Sequence, residues 1–277
     1  MRARVDSAVV ENIIDRPIGI FDSGFGGLTV MRALVDQLPH EDFIYLGDTA
    51  RAPYGPRPIA EVREFALQGL DYLAGLGVKA LVIACNSASA AVLRDARERY
   101  SIPIYEVILP AAKRAVAATR NGRVGVVCTK ATATSRSYDD AFAVAGDVAV
   151  GTRICPRFVE FVEAGITGGP ELLGVAREYL EPLVAENIDT LILGCTHYPL
   201  LTGVINYVIG DGVTLVSSAD TCAQAVYSGL TTRRLLHEQP REATRTFLTT
   251  GDAADFRGIG RRLLGAFVTD ATTVVLD

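Results

Sequence analysis

Two short apolar runs constrain this chain more than anything else in it. Leu81-Val82-Ile83-Ala84 and Leu191-Ile192-Leu193-Gly194 hold no charged or polar side chain, and each ends in a cysteine, Cys85 and Cys195. A half-exposed strand alternates apolar with polar residues, whereas a strand covered on both faces stays apolar throughout. Such strands belong to parallel sheets with helices on each side. The two runs also continue alike, with polar residues at an expected helix start: Asn86-Ser87 after the first and Thr196-His197 after the second. The chain therefore reads as an α/β protein of two similar lobes. Each lobe is a mainly parallel sheet flanked by helices and presents one cysteine at the tip of an inner strand. The site is expected in the cleft between them, at the carboxyl ends of the strands.

The rest of the chain repeats the alternation of strand and helix. Strands are expected at 17–21, 42–46, 80–84, 104–107, 123–127, 151–154, 190–193 and 213–216. Helices are expected at 28–38, 59–76, 88–100, 135–144, 170–186 and 221–236. From Thr244 the tail holds a short strand, a helix and a final β-rich run. The expected division is 1–105 with 215–277 in the first lobe, carrying Asp22 and Cys85, and 106–214 in the second, carrying Cys195 and His197.

Composition narrows the class. With 277 residues, 49% of them hydrophobic, the chain is long enough for one large core or two smaller ones. The net charge of -5 is spread without acidic or basic blocks, so neither nucleic acid nor a membrane surface is an expected partner. Met1 to Asp6 lacks the apolar core of a signal peptide, and the uncharged stretch between Lys79 and Arg94 is too short to span a bilayer. The cytosol is the expected compartment. Five cysteines, at 85, 128, 155, 195 and 222, then read as reduced thiols rather than a disulfide framework. No pair has C-x-x-C spacing, so no metal site is expected.

Chemistry is concentrated at the two mirrored cysteines. A thiol at a helix N-terminus ionises more easily, because the helix end favours negative charge. His197, two residues after Cys195, is placed to ionise that thiol or shuttle its proton. Cys128, Cys155 and Cys222 lack the mirrored context and read as small buried side chains. Phe21-Asp22-Ser23-Gly24-Phe25-Gly26-Gly27 is a glycine-rich turn from strand to helix, whose backbone amides suit an anion. It is not a dinucleotide fingerprint, since Thr29 occupies the third glycine position. A carboxylate suits it better than a pyrophosphate, and a tight turn that binds nothing is the other reading. Two thiols on opposite faces of a carbon suit proton removal on one side and return on the other. Cys195 with His197 also suits a cysteine hydrolase, and two lobes alone suit a binding protein without chemistry.

Several segments together resemble glutamate racemases. The opening Ile18-Gly19-Ile20-Phe21-Asp22-Ser23-Gly24-Phe25-Gly26-Gly27 is similar to the first motif of that family, and Tyr45-Leu46-Gly47-Asp48-Thr49 through Pro53-Tyr54-Gly55 to the second. Ala84-Cys85-Asn86-Ser87 and Gly194-Cys195-Thr196-His197 resemble its two cysteine motifs. Cys128-Thr129 with Thr132, Cys155-Pro156 through Glu163, and Thr249-Thr250-Gly251-Asp252 match further elements. The resemblance implies a cofactor-free enzyme that interconverts L- and D-glutamate for peptidoglycan. By carry-over, Cys85 takes the α-proton from D-glutamate and Cys195 takes it from L-glutamate. Asp22 and His197 look like their assistants, with Asp48 and Glu163 in support. Asp22, Ser23, Tyr54, Gly55, Asn86, Ser87, Thr129, Thr132, Thr196 and His197 match substrate contacts. A homodimer is implied, and an interaction with DNA gyrase is described for some relatives. Three positions depart from the family: Ser87 stands where threonine is usual, Cys128 where glycine is usual, and Val216-Ser217-Ser218 replaces a stretch that often holds an aspartate.

Overall fold

The computed structural model describes residues 13–237 and 239–276. Readings that fall on residues 1–12, the missing signal core among them, lie outside the described residues. The chain runs β1 (Ile18–Asp22), α1 (Leu28–Gln37), β2 (Phe43–Gly47), α2 (Ile59–Gly75), β3 (Ala80–Ile83), α3 (Asn86–Arg99) and β4 (Ile104–Glu106). It continues through α4 (Ile108–Ala118), β5 (Arg123–Cys128), α5 (Lys130–Ser135), α6 (Ser137–Phe142), β6 (Ala149–Ile154), α7 (Pro156–Glu163) and α8 (Pro170–Ala185). Then come β7 (Thr190–Gly194), α9 (Thr202–Ile209), β8 (Thr214–Ser217), α10 (Ser218–Arg233), β9 (Arg245–Thr249), α11 (Ala253–Leu264) and β10 (Thr272–Thr273).

The strands form two sheets, and every described pairing is parallel. The first has the order β10-β9-β2-β1-β3-β4 and the second β6-β5-β7-β8. The cysteine-tipped runs are inner strands, as the unbroken apolar pattern requires. β3 lies between β1 and β4, and β7 between β5 and β8. Leu81, Val82 and Ile83 are wholly buried, as are Leu191 and Ile192. Each such side chain contributes about 1.5–3 kcal/mol relative to exposure. Helix α10 packs on α1 from one lobe and α4 from the other, so it lies along their junction.

Both expected lobe boundaries fall inside strands. Glu106 still pairs with Ile83 in the first sheet, and Thr214 to Ser217 pair with β7 in the second. The chain crosses at Val107 and again after Ser217, the residues that precede α4 and α10. Strand pairing sets these limits, and composition carries no trace of it. The helix expected from Ser135 starts instead at Ser137, after an unexpected short helix over Lys130–Ser135, because Ser135 draws backbone groups away from the helical ladder. Its hydroxyl donates to the Thr132 carbonyl at 2.7 Å and accepts from the Ser137 amide at 3.2 Å. Arg136 between them turns left-handed, at φ 57°. Helices α4, α7 and α9 were not anticipated. α7 opens on Pro156, which suits a first helical turn but reads as a breaker. α9 is short and rich in β-branched residues.

The first sheet is fastened at the amino-terminal end of its strands by a buried ion pair. Lys79 Nζ lies 2.5 Å from Glu41 Oε2, with both side chains almost fully buried. The ammonium also donates to the carbonyls of Ile14, at 2.7 Å, and Leu235, at 2.8 Å. Glu41 accepts from the His237 amide at 2.9 Å. The knot joins the start of the chain to the segment that returns from the second lobe. Burial draws the Lys79 pKa down, and Glu41 pulls against it. Replacing Lys79 by Met strands a buried carboxylate, so K79M loses about 3–5 kcal/mol in urea denaturation. Pairing it with Glu41→Gln recovers part of that loss. A single variant as stable as the parent contradicts the account.

Candidate active site

The carboxyl ends of the two sheets face one another across a cavity of about 290 Å³. Cys85 and Cys195 both line it, at the tips of β3 and β7. Ser23, Tyr54, Gly55, Asn86, Ser87, Thr129, Glu163, Thr196 and His197 share the wall. Of the expected site residues, Asp22, Asp48 and Thr132 stand behind it rather than on it. Sequence reading missed the apolar side formed by Ile154, Pro156 and Val159, and the charged Lys130 and Glu160. The start of α7, unread as helix, carries most of that side. All five cysteines are free and buried.

The two thiols are held differently. Cys85 is itself the N-cap of α3, and its sulfur accepts from the Ala88 amide at 3.4 Å. Its other neighbour is the Ser23 hydroxyl, at 3.5 Å. Burial, reinforced by the negative charge of Asp22, pushes this thiol up to about 12. Cys195 does not begin an α-helix. The chain after it makes a 3-10 turn at Tyr198–Leu201, and α9 starts only at Thr202. The expected helix end is therefore missing at the second cysteine, and a charged pair stands in its place. His197 Nδ1 lies 3.7 Å from Cys195 Sγ, and His197 Nε2 lies 3.2 Å from Glu163 Oε1. Burial opposes a charged imidazole, but the sulfur and the carboxylate outweigh it and raise His197 to about 10.

The glycine-rich turn serves packing more than anion binding. The Gly24 amide is already taken by Asp22 Oδ2, at 2.9 Å, and only Ser23 of the turn reaches the cavity wall. A Cβ on Gly26 would overlap the Thr196 hydroxyl and the His197 ring, and one on Gly27 would overlap the Asp22 carboxyl. Glycine at 26 thus lets the first lobe approach the second to within contact of the imidazole. Thr29 Oγ1 closes the same seam by donating to the Thr196 carbonyl at 2.9 Å. On the opposite side the Ala131 amide donates to the Gly55 carbonyl at 2.8 Å, and the Ser87 and Thr129 hydroxyls are 2.9 Å apart. Thr132 is 3.1 Å from Thr129, one step behind the wall.

Two buried polar atoms at the site have no hydrogen-bond partner among the described residues: Asp22 Oδ1 and Asn86 Nδ2. The Asn86 amide is oriented by its oxygen, which accepts from the Tyr138 hydroxyl at 2.9 Å. An orphaned buried donor costs stability. Burial raises the Asp22 pKa, partly offset by the positive charge of His197. Asp48 is wholly buried and accepts from Arg51, Thr250 and Tyr54.

Two α/β lobes that close thiols from separate sheets over one small cavity define a class of two-thiol enzymes. The chain belongs to the Asp/Glu/hydantoin racemase family, whose profile matches residues 18–226. It is 62% identical over 255 residues to a glutamate racemase of Parafrankia sp. strain EAN1pec, covering 91% of this chain and 92% of that one. A glutamate racemase isoform from Bacillus anthracis superposes with a TM-score of 0.91 at 38% identity, covering 94% of this chain and 98% of that structure. The glutamate racemase of Francisella tularensis in complex with D-glutamate superposes with a TM-score of 0.89 at 35% identity, covering 95% and 99%.

Two outcomes follow from this geometry. The raised pKa means that protonation of His197 favours the fold. That contribution is whole below the unfolded value near 6.5 and is lost as pH rises through about 10. Glu163→Gln removes one of the two groups that hold the proton, so His197 titrates at lower pH in an NMR titration of its ring. An unmoved titration excludes the Glu163 contact. Gly26→Ala forces the seam apart and costs about 1–3 kcal/mol in thermal denaturation. An unshifted melting temperature excludes the close approach.

Proposed function

We propose that this protein is a glutamate racemase in which Cys85 and Cys195 exchange the α-proton of glutamate across the cavity. The observation that carries the proposal is that one cavity is lined by both sulfurs, each from a different lobe. Its volume suits a small amino acid. The 3.7 Å contact between Cys195 Sγ and His197 Nδ1 supports His197 as the group that exchanges a proton with that sulfur. Cys85, pushed up to about 12, rests as the thiol. With its own proton passed to His197, Cys195 takes the α-proton of L-glutamate as the C–H bond breaks, and the electron pair stays on the α-carbon. Cys85 then delivers its own proton to the opposite face. D-glutamate is formed, Cys85 is left as thiolate and Cys195 as thiol, and the reverse turnover exchanges them again.

The α-hydrogen of an amino acid is a weak acid, so the carbanion depends on its surroundings. Exclusion of water by the closed seams strengthens every polar contact inside. Ser23, Asn86, Ser87, Thr129 and Thr196 line the cavity and bring polar side chains to the substrate. Asp22, behind Cys85, is the assistant for that thiol, as His197 is for Cys195. Asp48 and Thr132 act through the wall residues that they hold. No described helix is long and apolar enough to cross a membrane. The family resemblance supports three further parts of the proposal: supply of D-glutamate for peptidoglycan, assembly as a homodimer, and residence in the cytosol. Nothing in the cavity bears on DNA gyrase.

In deuterated water, with no cofactor added, the enzyme incorporates solvent deuterium at the α-carbon as optical activity decays. Cys85→Ala and Cys195→Ala each lower racemisation about 10²–10⁴-fold while glutamate still binds. Product that retains its α-hydrogen overturns the proposal, as does a Cys85→Ala variant with full activity. The first result favours a hydrolase built on Cys195 and His197.

A further inference from the structure

The wall of the cavity formed by Tyr54 and Gly55 belongs to an irregular segment, and a segment without its own ladder of hydrogen bonds needs outside support. That support converges on Arg51, which does not itself line the cavity. Arg51 Nε donates to Asp48 Oδ2 at 2.7 Å, and Arg51 Nη1 donates to Gln68 on α2 at 2.5 Å. Its guanidinium lies over the Phe65 ring, 4.3 Å from the centroid, also on α2. Its carbonyl accepts from Arg57 Nε at 2.9 Å, at the far end of the segment. The same Asp48 oxygen receives the Tyr54 hydroxyl. One carboxylate oxygen thus ties the cavity wall to the guanidinium, and the guanidinium ties both to a rigid helix.

We propose that Arg51 is a positioning residue that sets the fit of the substrate by fixing the Tyr54–Gly55 wall through Asp48. The inference rests on the racemase reading of the cavity. The guanidinium is suited to this because its planar fork reaches Asp48 and Gln68 together while its face stacks on Phe65. A lysine ammonium keeps the charge but not the fork or the stack. Because the wall contributes no group to the proton exchange itself, loosening it weakens binding in ground state and transition state alike. That raises KM with little change in kcat.

The test measures kcat and KM for both enantiomers, their pH profiles, glutamate affinity by calorimetry and the melting temperature. Arg51→Met and Arg51→Lys each raise KM about tenfold or more, with kcat nearly unchanged and the pH limbs unmoved. Arg51→Met combined with Asp48→Asn is no worse than the more affected single variant, since both break one connection. Phe65→Leu removes the stack alone and shifts KM in the same direction by less, which keeps the test alive if Arg51→Met does not fold. Full rescue by lysine overturns the proposal, because charge alone then suffices. So does a lowered melting temperature with KM unchanged, or a fall in kcat with a displaced pH limb. A parent enzyme that binds glutamate without racemising it overturns the function, and the effect of Arg51 on affinity is still read. A parent that does not bind glutamate overturns both.

Discussion

A thiol stripped of water ionises only when something beside it holds the charge. That constraint organises the site. Both sulfurs sit at the ends of strands whose side chains are wholly enclosed, so neither gains much from solvent. At Cys195 the neighbour is an imidazole backed by a carboxylate. At Cys85 the neighbours are a single amide, a hydroxyl and a buried acid. Two similar strand tips therefore sit in different electrostatic surroundings.

The same enclosure depends on how tightly the lobes meet. On one side, the missing side chain of Gly26 admits the His197 ring, and Thr29 reaches across to the backbone of Thr196. On the other, Gly55 receives the Ala131 amide, and Ser87 meets Thr129. These are contacts of small residues, where an extra carbon atom is felt at once. The serine at 87 keeps a hydroxyl in this seam, so its departure from the usual threonine leaves the bridge intact. Cys128, by contrast, is fully buried in the second lobe and off the cavity wall.

Much of this was legible in the sequence because it is local. The apolar runs at 81–84 and 191–194 announce inner strands, and a cysteine after each marks a strand tip whatever surrounds it. The motif residues at 23, 54, 55, 86, 87, 129, 163, 196 and 197 do reach one cavity. What could not be read is set by distant partners. The helical start after Cys195 was inferred by analogy with Cys85, yet the chain there turns through Tyr198 and Pro199 first. The glycine-rich turn advertised free amides, but Asp22 takes one of them from two residues away. The apolar side at Ile154, Pro156 and Val159 follows from a helix that opens on proline, a residue that argues against helix when read alone. Arg51 stands in a loop whose composition reveals neither Gln68 nor Phe65.

The knot around Lys79 bears on the order in which the chain is made. The second sheet is built from one continuous stretch, 123 to 217, whereas the first waits for β9 at Arg245–Thr249 to cover the edge of β2. Lys79 likewise obtains its Leu235 carbonyl only after the whole second lobe has been synthesised. On the ribosome the amino-terminal lobe is thus the later one to be finished. Until then β2 presents an open strand edge, the kind of exposure that leaves a nascent chain prone to aggregation.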